Sequence, residues 1–188
     1  MSGEQPLVSV LMTAYNRERY IAEAIESVLG STYQNFELIV VDDVSKDNTL
    51  AIARTYAEKD KRITVYKNES NLGDYPNRNK AASYAKGKYI KYLDADDKLY
   101  PYGLEIMVGI MEQASAQWGL MSIPQDDNRQ FPIVLQPAEI YRRHYFNKDR
   151  SVNYPHIFYK APLSAIIRKE AFDRVNGFNN VQHFGDSD

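Results

Sequence analysis

Cysteine is absent from this chain. Its absence removes disulfides, thiolate zinc sites, iron–sulfur clusters and cysteine nucleophiles together, and it suits a reducing compartment. A charge excess of either sign is also lacking: 23 basic residues face 25 acidic ones, a formal net charge of -2. There is therefore no bulk electrostatic case for nucleic acid as a partner. No apolar run reaches the length of a membrane-spanning helix. The opening Met1-Ser2-Gly3-Glu4-Gln5-Pro6 has neither the basic nor the apolar region of a secretory leader. The expected location is cytoplasmic, with a peripheral place at a membrane left open. Glycine is missing where a dinucleotide-binding fold would need it, because the loop after the first apolar run reads Thr13-Ala14-Tyr15-Asn16. No Gly-Lys-Ser/Thr run is present for a phosphate-binding P-loop. Acidic clusters follow the second and fourth strand-like runs rather than the first, which disfavours a phosphorelay receiver.

What is present suits one soluble domain. The 188 residues are 44% hydrophobic and 26% charged, enough to bury a proper core. Tyrosine occurs 15 times against a single tryptophan, and its flat face and polar tip suit sugar or base stacking as well as the edge of a core.

The first hundred residues alternate strand and helix. Val8–Met12, Phe36–Val41, Ile63–Tyr66 and Tyr89–Leu93 are short runs rich in apolar and β-branched residues and read as strands. Between them, Ile21, Ala24, Ile25, Val28 and Leu29 form one helical stripe, and Ile52, Ala53, Tyr56 and Ala57 another, with Asp47 as its N-cap. A third helix runs through Ala81, Ala82 and Ala85 and stops at Gly87. This order predicts an α/β fold with a mostly parallel sheet flanked by helices. Ligands of such sheets bind at the carboxyl ends of the strands, where the loops starting at Thr13, Asp42 and Asp94 converge.

The second half is less regular. Pro101 is expected to open a helix carrying Leu104, Met107, Val108 and Met111. Strands are expected at Trp118–Ile123 and Leu163–Ile167, a polar turn at Gln125–Gln130, a helix from Pro137, and a short helix ending at Val175. The expectation is a single domain over 1–188 made of two sub-regions, 1–100 and 101–188.

Several clusters can carry chemistry. Asp94-Ala95-Asp96-Asp97 crowds three carboxylates onto one strand end. Like charges this close raise one another's pKa unless a cation joins them, and hard oxygen donors on a short turn suit Mg²⁺ or Mn²⁺. The same tetrad also reads as a polar turn that caps the next helix. Asp42 and Asp43 can accept from a nucleobase N–H or ribose hydroxyls, or shape the turn before a helix. In Thr13-Ala14-Tyr15-Asn16-Arg17, the small Ala14 permits close backbone approach and Tyr15 offers a ring to a base; an ordinary strand-to-helix loop explains it too. Arg78, near Asn71-Leu72-Gly73, can pair with a diphosphate through its planar fork, or form a surface ion pair. Asp186, after Gly185, can act as a base or belong to an acidic tail that also holds His183 and Asp188; spacing alone favours the tail.

Taken in order, these segments resemble the family 2 glycosyltransferases, inverting enzymes of the GT-A fold. The resemblance rests on Val8–Asn16, Val40–Thr49, Asn71-Leu72-Gly73 with Arg78-Asn79, Gly87–Asp97, Ile167–Asn179 and Gly185-Asp186. It implies that Thr13 and Tyr15, with Ala14 and Asn16 between and beside them, line a nucleobase pocket, and that Asp43 reads the base through its N–H. It places Arg78 near base and phosphates, and Asp94, Ala95 and Asp96 against the nucleotide sugar. It implies that 1–100 is the nucleotide-sugar-binding half and 101–188 an acceptor-side half, expected to be incomplete at its C-terminus. Asp97, with Asp96, would hold a divalent metal, Mn²⁺ or Mg²⁺, and Asp186 would be the general base. The implied partners are a nucleotide-diphosphate sugar, UDP-linked before dTDP-linked, and a glycan, lipid-linked or polymer acceptor, as in polysaccharide biosynthesis. Gly185 directly before Asp186 departs from the Glu-Asp pair of many members. A non-catalytic nucleotide-binding or partner-binding module of the same fold is the alternative.

Overall fold

The computed structural model describes residues 4–113, 119–121 and 165–178. Among these lie six strands and five helices, in the order β1 (Val8–Ala14), α1 (Ile21–Leu29), β2 (Phe36–Asp42), α2 (Thr49–Lys59), β3 (Ile63–Lys67), α3 (Asp74–Tyr84), β4 (Tyr89–Asp94), α4 (Gly103–Gln113), β5 (Gly119–Met121), β6 (Ala165–Arg168) and α5 (Lys169–Arg174). The sheet runs β3-β2-β1-β4-β6-β5. Its first four strands are parallel, while β6 is antiparallel to β4 and β5 to β6. The α/β reading with a mixed, mostly parallel sheet therefore holds.

Alternation of side chains along each strand builds two cores. Val10, Met12, Leu38, Val40, Tyr89 and Leu93 face the stripe of α1 (Ile21, Ala24, Ile25, Val28) and Leu104, Val108 and Met111 of α4. Leu11, Ile39, Val41, Ile90 and Tyr92 face Ala81 and Ala82 of α3 and Phe172 of α5. Strands buried on both faces read as near-continuous apolar runs, which is why these segments stand out in the sequence. Gly87 brings β4 in beside β1. A Cβ there would lie 2.7 Å from Leu7 O and Ser9 N, and its N–H donates to Ser9 Oγ at 2.8 Å.

The strands run further than their apolar residues suggest. Thr13 pairs with Val41 and Asp94, and Ala14 with Asp42, so those residues end strands rather than begin loops. Backbone ladders continue past the last apolar side chain because the hydrogen bonds are made by every residue. Other boundaries move too. The first residue flanking α2 is Asn48, not Asp47. Asp47 still does the work expected of a cap, since its Oδ1 accepts the Thr49 N–H at 3.0 Å. Helix α3 ends at Tyr84 with Ala85 extended, before Gly87. Pro101 precedes α4 by a turn, and its carbonyl accepts the Thr32 N–H at 2.7 Å. The two later strands are described at Gly119–Met121 and Ala165–Arg168, overlapping the expected spans, of which residues 118, 122–123 and 163–164 lie outside the described residues. The turn at Gln125–Gln130, the helix from Pro137, and His183, Asp186 and Asp188 lie outside the described residues.

Candidate nucleotide-sugar site

The order β3-β2-β1-β4 reverses direction between β1 and β4, and the crevice beyond such a switch point is where open α/β sheets bind ligands. A cleft of about 400 Å³ opens there, lined by residues from the ends of β1, β2 and β4 and the start of α3. Among the expected site residues, Thr13, Ala14, Tyr15, Asp43, Arg78, Asp94, Ala95 and Asp96 line it together. Asn16 and Asp97 are not among the lining residues. Asn16 instead ties two loops: its N–H donates to Ser45 Oγ at 3.0 Å and its Oδ1 accepts the Lys46 N–H at 2.8 Å. Asp97 is exposed, with its N–H turned back to Asp94 O at 3.0 Å.

Asp43 is 3% exposed. Its Oδ1 accepts from Asn68 Nδ2 at 2.7 Å and the Leu72 N–H at 2.8 Å, and its Oδ2 from the Gly73 N–H at 2.9 Å. A carboxylate has about four acceptor positions; three are taken, and the group borders the cleft with capacity for one more donor. The chain holds Asp43 through a costly backbone: Val44, the next residue, has φ 66, a left-handed conformation that a β-branched side chain resists. Asp42 helps by accepting the Ser45 N–H on Oδ2 at 3.1 Å.

Arg78 lies in the second turn of α3 and is 6% exposed. Its Nε donates to Asp74 Oδ1 at 2.7 Å. Its Nη2 lies 2.8 Å from Asp94 Oδ1, an ion pair without the alignment of a hydrogen bond. Its Nη1 is buried with no hydrogen-bond partner among the described residues. Burial works against the guanidinium charge, but Asp94 and Asp74 outweigh it and hold the proton more firmly than usual. For Asp94, burial pushes the carboxyl above its ordinary range, and Arg78 offsets only part of that. A second pair spans the cleft, with Arg17 Nε donating to Asp96 Oδ2 at 2.9 Å.

Arg17, Asn71, Asp74 and Asn77 line the cleft as well and were not read as site residues. The i,i+4 spacing of Asp74 and Arg78 on one helix was a usable signal for Asp74. Nothing local pointed to Asn68, which reaches Asp43 from 25 residues away.

Lys91 is 2% exposed on the otherwise apolar face of β4, with Nζ donating to Tyr92 O at 2.6 Å. Burial pushes its pKa down to about 8, against the opposing pull of Asp97 and Asp94. An unfolded lysine titrates near ~10.4. Between those values the unfolded chain holds a proton that the folded chain has released, so this group makes stability rise with pH from about 8 to about 10. Lys91→Met is expected to raise stability at pH 7 by on the order of 2 kcal/mol and to flatten that rise. Urea melts at several pH values check it; an unchanged slope means the ammonium is not penalised.

The donor chemistry fits a hard divalent cation held openly. Asp94 and Asp96 line the cleft, paired with Arg78 and Arg17, and among the described residues no group of three acids, histidines or cysteines is placed to hold a metal. Mg²⁺-type sites commonly take one or two carboxylates and complete their shell with substrate phosphates and water.

The sequence matches the family described as Glycosyl transferase family 2 over residues 9–175, and the chain belongs to that family. An uncharacterized glycosyltransferase of Methanocaldococcus jannaschii is 47% identical over 116 residues, covering 60% of this chain and 40% of that protein. The S. aureus protein TarS 1-349, in complex with UDP, is 25% identical, with a TM-score of 0.68 over 90% of this chain and 48% of that one. The mannosyltransferase PcManGT from Pyrobaculum calidifontis, in complex with GDP-Man and Mn²⁺, superposes with a TM-score of 0.66 at 19% identity, over 93% of this chain and 48% of that one. The fold is thus the GT-A fold. The chain spans less than half the length of each of these proteins. Among the described residues, no helix is long and apolar enough to cross a membrane.

Proposed function

We propose that this chain carries the donor half of a sugar transfer from a nucleotide-diphosphate sugar, a UDP-sugar first, to an acceptor hydroxyl with inversion. The observation that carries this reading is the pairing, in one cleft, of a pinned carboxylate at Asp43 with a buried guanidinium at Arg78 whose Nη1 has no partner among the described residues. The first suits a nucleobase N–H and the second a diphosphate oxygen. Tyr15, 41% exposed at the rim, supplies a ring for the base. The relatives support the donor class, since one is described in complex with UDP and another with GDP-Man and Mn²⁺.

Charge supports the cation. Among the described residues, four carboxylates (Asp43, Asp74, Asp94, Asp96) and two guanidinium groups (Arg17, Arg78) line the cleft. A diphosphate entering an acidic cleft is repelled unless positive charge enters with it. Asp96 is the first ligand by position, with Asp94 beside it, and Asp97 joins only if its side chain turns inward. When bound, Mn²⁺ or Mg²⁺ supplies Lewis-acid stabilisation of the departing diphosphate. Arg78 holds the diphosphate in place, and Asp43 and Tyr15 hold the nucleoside. Asp186 takes the proton of the acceptor hydroxyl as its oxygen bonds to the anomeric carbon. The bond from that carbon to the phosphate oxygen breaks, and the nucleoside diphosphate leaves on the opposite face. The proposed setting is cytoplasmic glycan assembly, with a glycan, lipid-linked or polymer acceptor.

Calorimetric titration with UDP tests the reading. Binding in Mn²⁺ is expected to be at least about tenfold tighter than in EDTA, a difference of roughly 1.4 kcal/mol, and Asp96→Ala should bind equally weakly in both. Equal wild-type affinity in the two buffers removes the cation from the proposal. No binding in either removes the transferase reading.

A further inference from the structure

The donors around Asp43 are shared unevenly between its two oxygens. Among the described residues, Oδ1 accepts two, Asn68 Nδ2 at 2.7 Å and the Leu72 N–H at 2.8 Å, while Oδ2 accepts one, the Gly73 N–H at 2.9 Å. Each carboxylate oxygen has about two acceptor positions. Oδ1 is therefore full, and one position remains, on Oδ2. Two of the three donors are backbone groups of the turn entering α3, where Gly73 takes φ 81, a left-handed value that favours glycine.

The third donor is a side chain that is itself locked. Asn68 is 8% exposed, and its backbone N–H donates to Asp42 O at 2.9 Å just past β3. The Nδ2 that reaches Asp43 also donates to Asn77 Oδ1 at 2.9 Å, and Asn77 is buried. Both hydrogens of that nitrogen are thereby committed. The turn is tied to Asp43 without this amide, since Asn71 Nδ2 donates to Asp43 O at 3.1 Å and Leu72 and Gly73 hold the carboxylate. What Asn68 adds is closure of the second position on Oδ1.

Bases differ in the number of donors they show to a carboxylate. Uracil presents one N–H between two carbonyls. Guanine presents two adjacent donors, a ring N–H and an amino group, which together engage both oxygens of a carboxylate. Hypoxanthine has the ring N–H of guanine and lacks the amino group. Adenine and cytosine place a ring-nitrogen lone pair beside their amino group, and a carboxylate repels it. A carboxylate with one open position satisfies uracil or hypoxanthine and leaves one guanine donor unpaired. An unpaired donor costs on the order of 10–100-fold in affinity.

We infer that Asn68 is a positioning residue that determines base specificity: by filling the second place on Asp43 Oδ1, it restricts the cleft to nucleotides whose base offers a single N–H and turns guanine away. This deepens the donor reading above and rests on it, with Asp43 at the base. Asn68 is not among the residues lining the cleft; it acts through Asp43.

The test titrates UDP, IDP and GDP in Mn²⁺ by calorimetry into the whole 188-residue chain and into Asn68→Ala. IDP and GDP are purine nucleotides of nearly the same shape that differ by the amino group, so their ratio reads donor number rather than pocket size. In the wild type, UDP is expected to bind, and IDP to bind about tenfold or more tighter than GDP. In Asn68→Ala the second position on Oδ1 opens, and the gap between IDP and GDP is expected to close to within about threefold. Asn68→Ser, too short to reach Asp43, serves where the alanine variant does not fold, and the wild-type ratio tests the donor count without any variant. A wild type that binds UDP but takes IDP and GDP equally, prefers GDP, or takes neither purine overturns the inference. A gap that persists in a folded variant, with all three nucleotides weakened in parallel, also overturns it and makes Asn68 a brace of the loop. A wild type that binds no nucleotide sinks the donor reading and this role with it.

Discussion

Asp186→Asn is expected to leave Mn²⁺-dependent UDP binding within about twofold of wild type and to lower sugar transfer by about 10²–10⁴-fold, the usual range for loss of a positioned base. The substitution keeps the shape of the side chain and removes only its ability to take a proton. Asp186 lies outside the described residues, and its role comes from the family resemblance at Gly185-Asp186. Among the described residues the cleft is lined by residues 13–96, so donor binding and transfer are expected to separate. Calorimetry and a steady-state assay of UDP release give the two numbers. Turnover equal to wild type would take Asp186 out of the mechanism, and loss of UDP binding would mean that it belongs to the donor site.

The second large effect is expected at Asp43. Replacement by alanine removes the acceptor for Asn68 Nδ2 and for the N–H groups of Leu72 and Gly73. Each unsatisfied donor costs about 1–3 kcal/mol when water cannot reach it. Asn68 is buried, but Leu72 and Gly73 are exposed residues whose amides water can partly repair. The expected loss is about 2–4 kcal/mol, which for a chain of this size lowers Tm by about 5–15 °C. UDP affinity should fall by about 10²-fold, because a charge-assisted hydrogen bond to the base is lost and the loop entering α3 is released. Thermal melts and titration at a temperature well below both melting points separate the two effects. A stable variant with normal UDP affinity would place the base elsewhere.

The residues of the proposed site were legible where acids and arginine are concentrated locally. Asp94 and Asp96 announce themselves as acids at the end of an apolar strand, Asp43 likewise, and Arg78 through its place beside a glycine turn. All four line one cleft. Asp97 and Asn16 share the same motifs and yet are not among the lining residues, because a motif records adjacency in the chain and not the direction of each side chain. Arg17 carried no signal of its own partner, Asp96, which lies 79 positions away. Lys91 inside a strand gave no warning that its stem would be buried among apolar neighbours.

By itself, the sequence determined the alternation of strands and helices, the parallel character of the sheet, and the family. Those follow from periodicity and from motifs read along the chain, where each residue's neighbours are known. Only the tertiary structure decided which acids share a cavity, which arginines neutralise them, that Asn68 pins Asp43, and that Asn79 grips Phe178. Apart from the Asp74–Arg78 pair within one helix, those contacts join residues from 16 positions apart, Arg78 and Asp94, to 99, Asn79 and Phe178. Their partners are chosen by strand register and by helix packing on the sheet, which are settled by burial of the whole core rather than by any local segment.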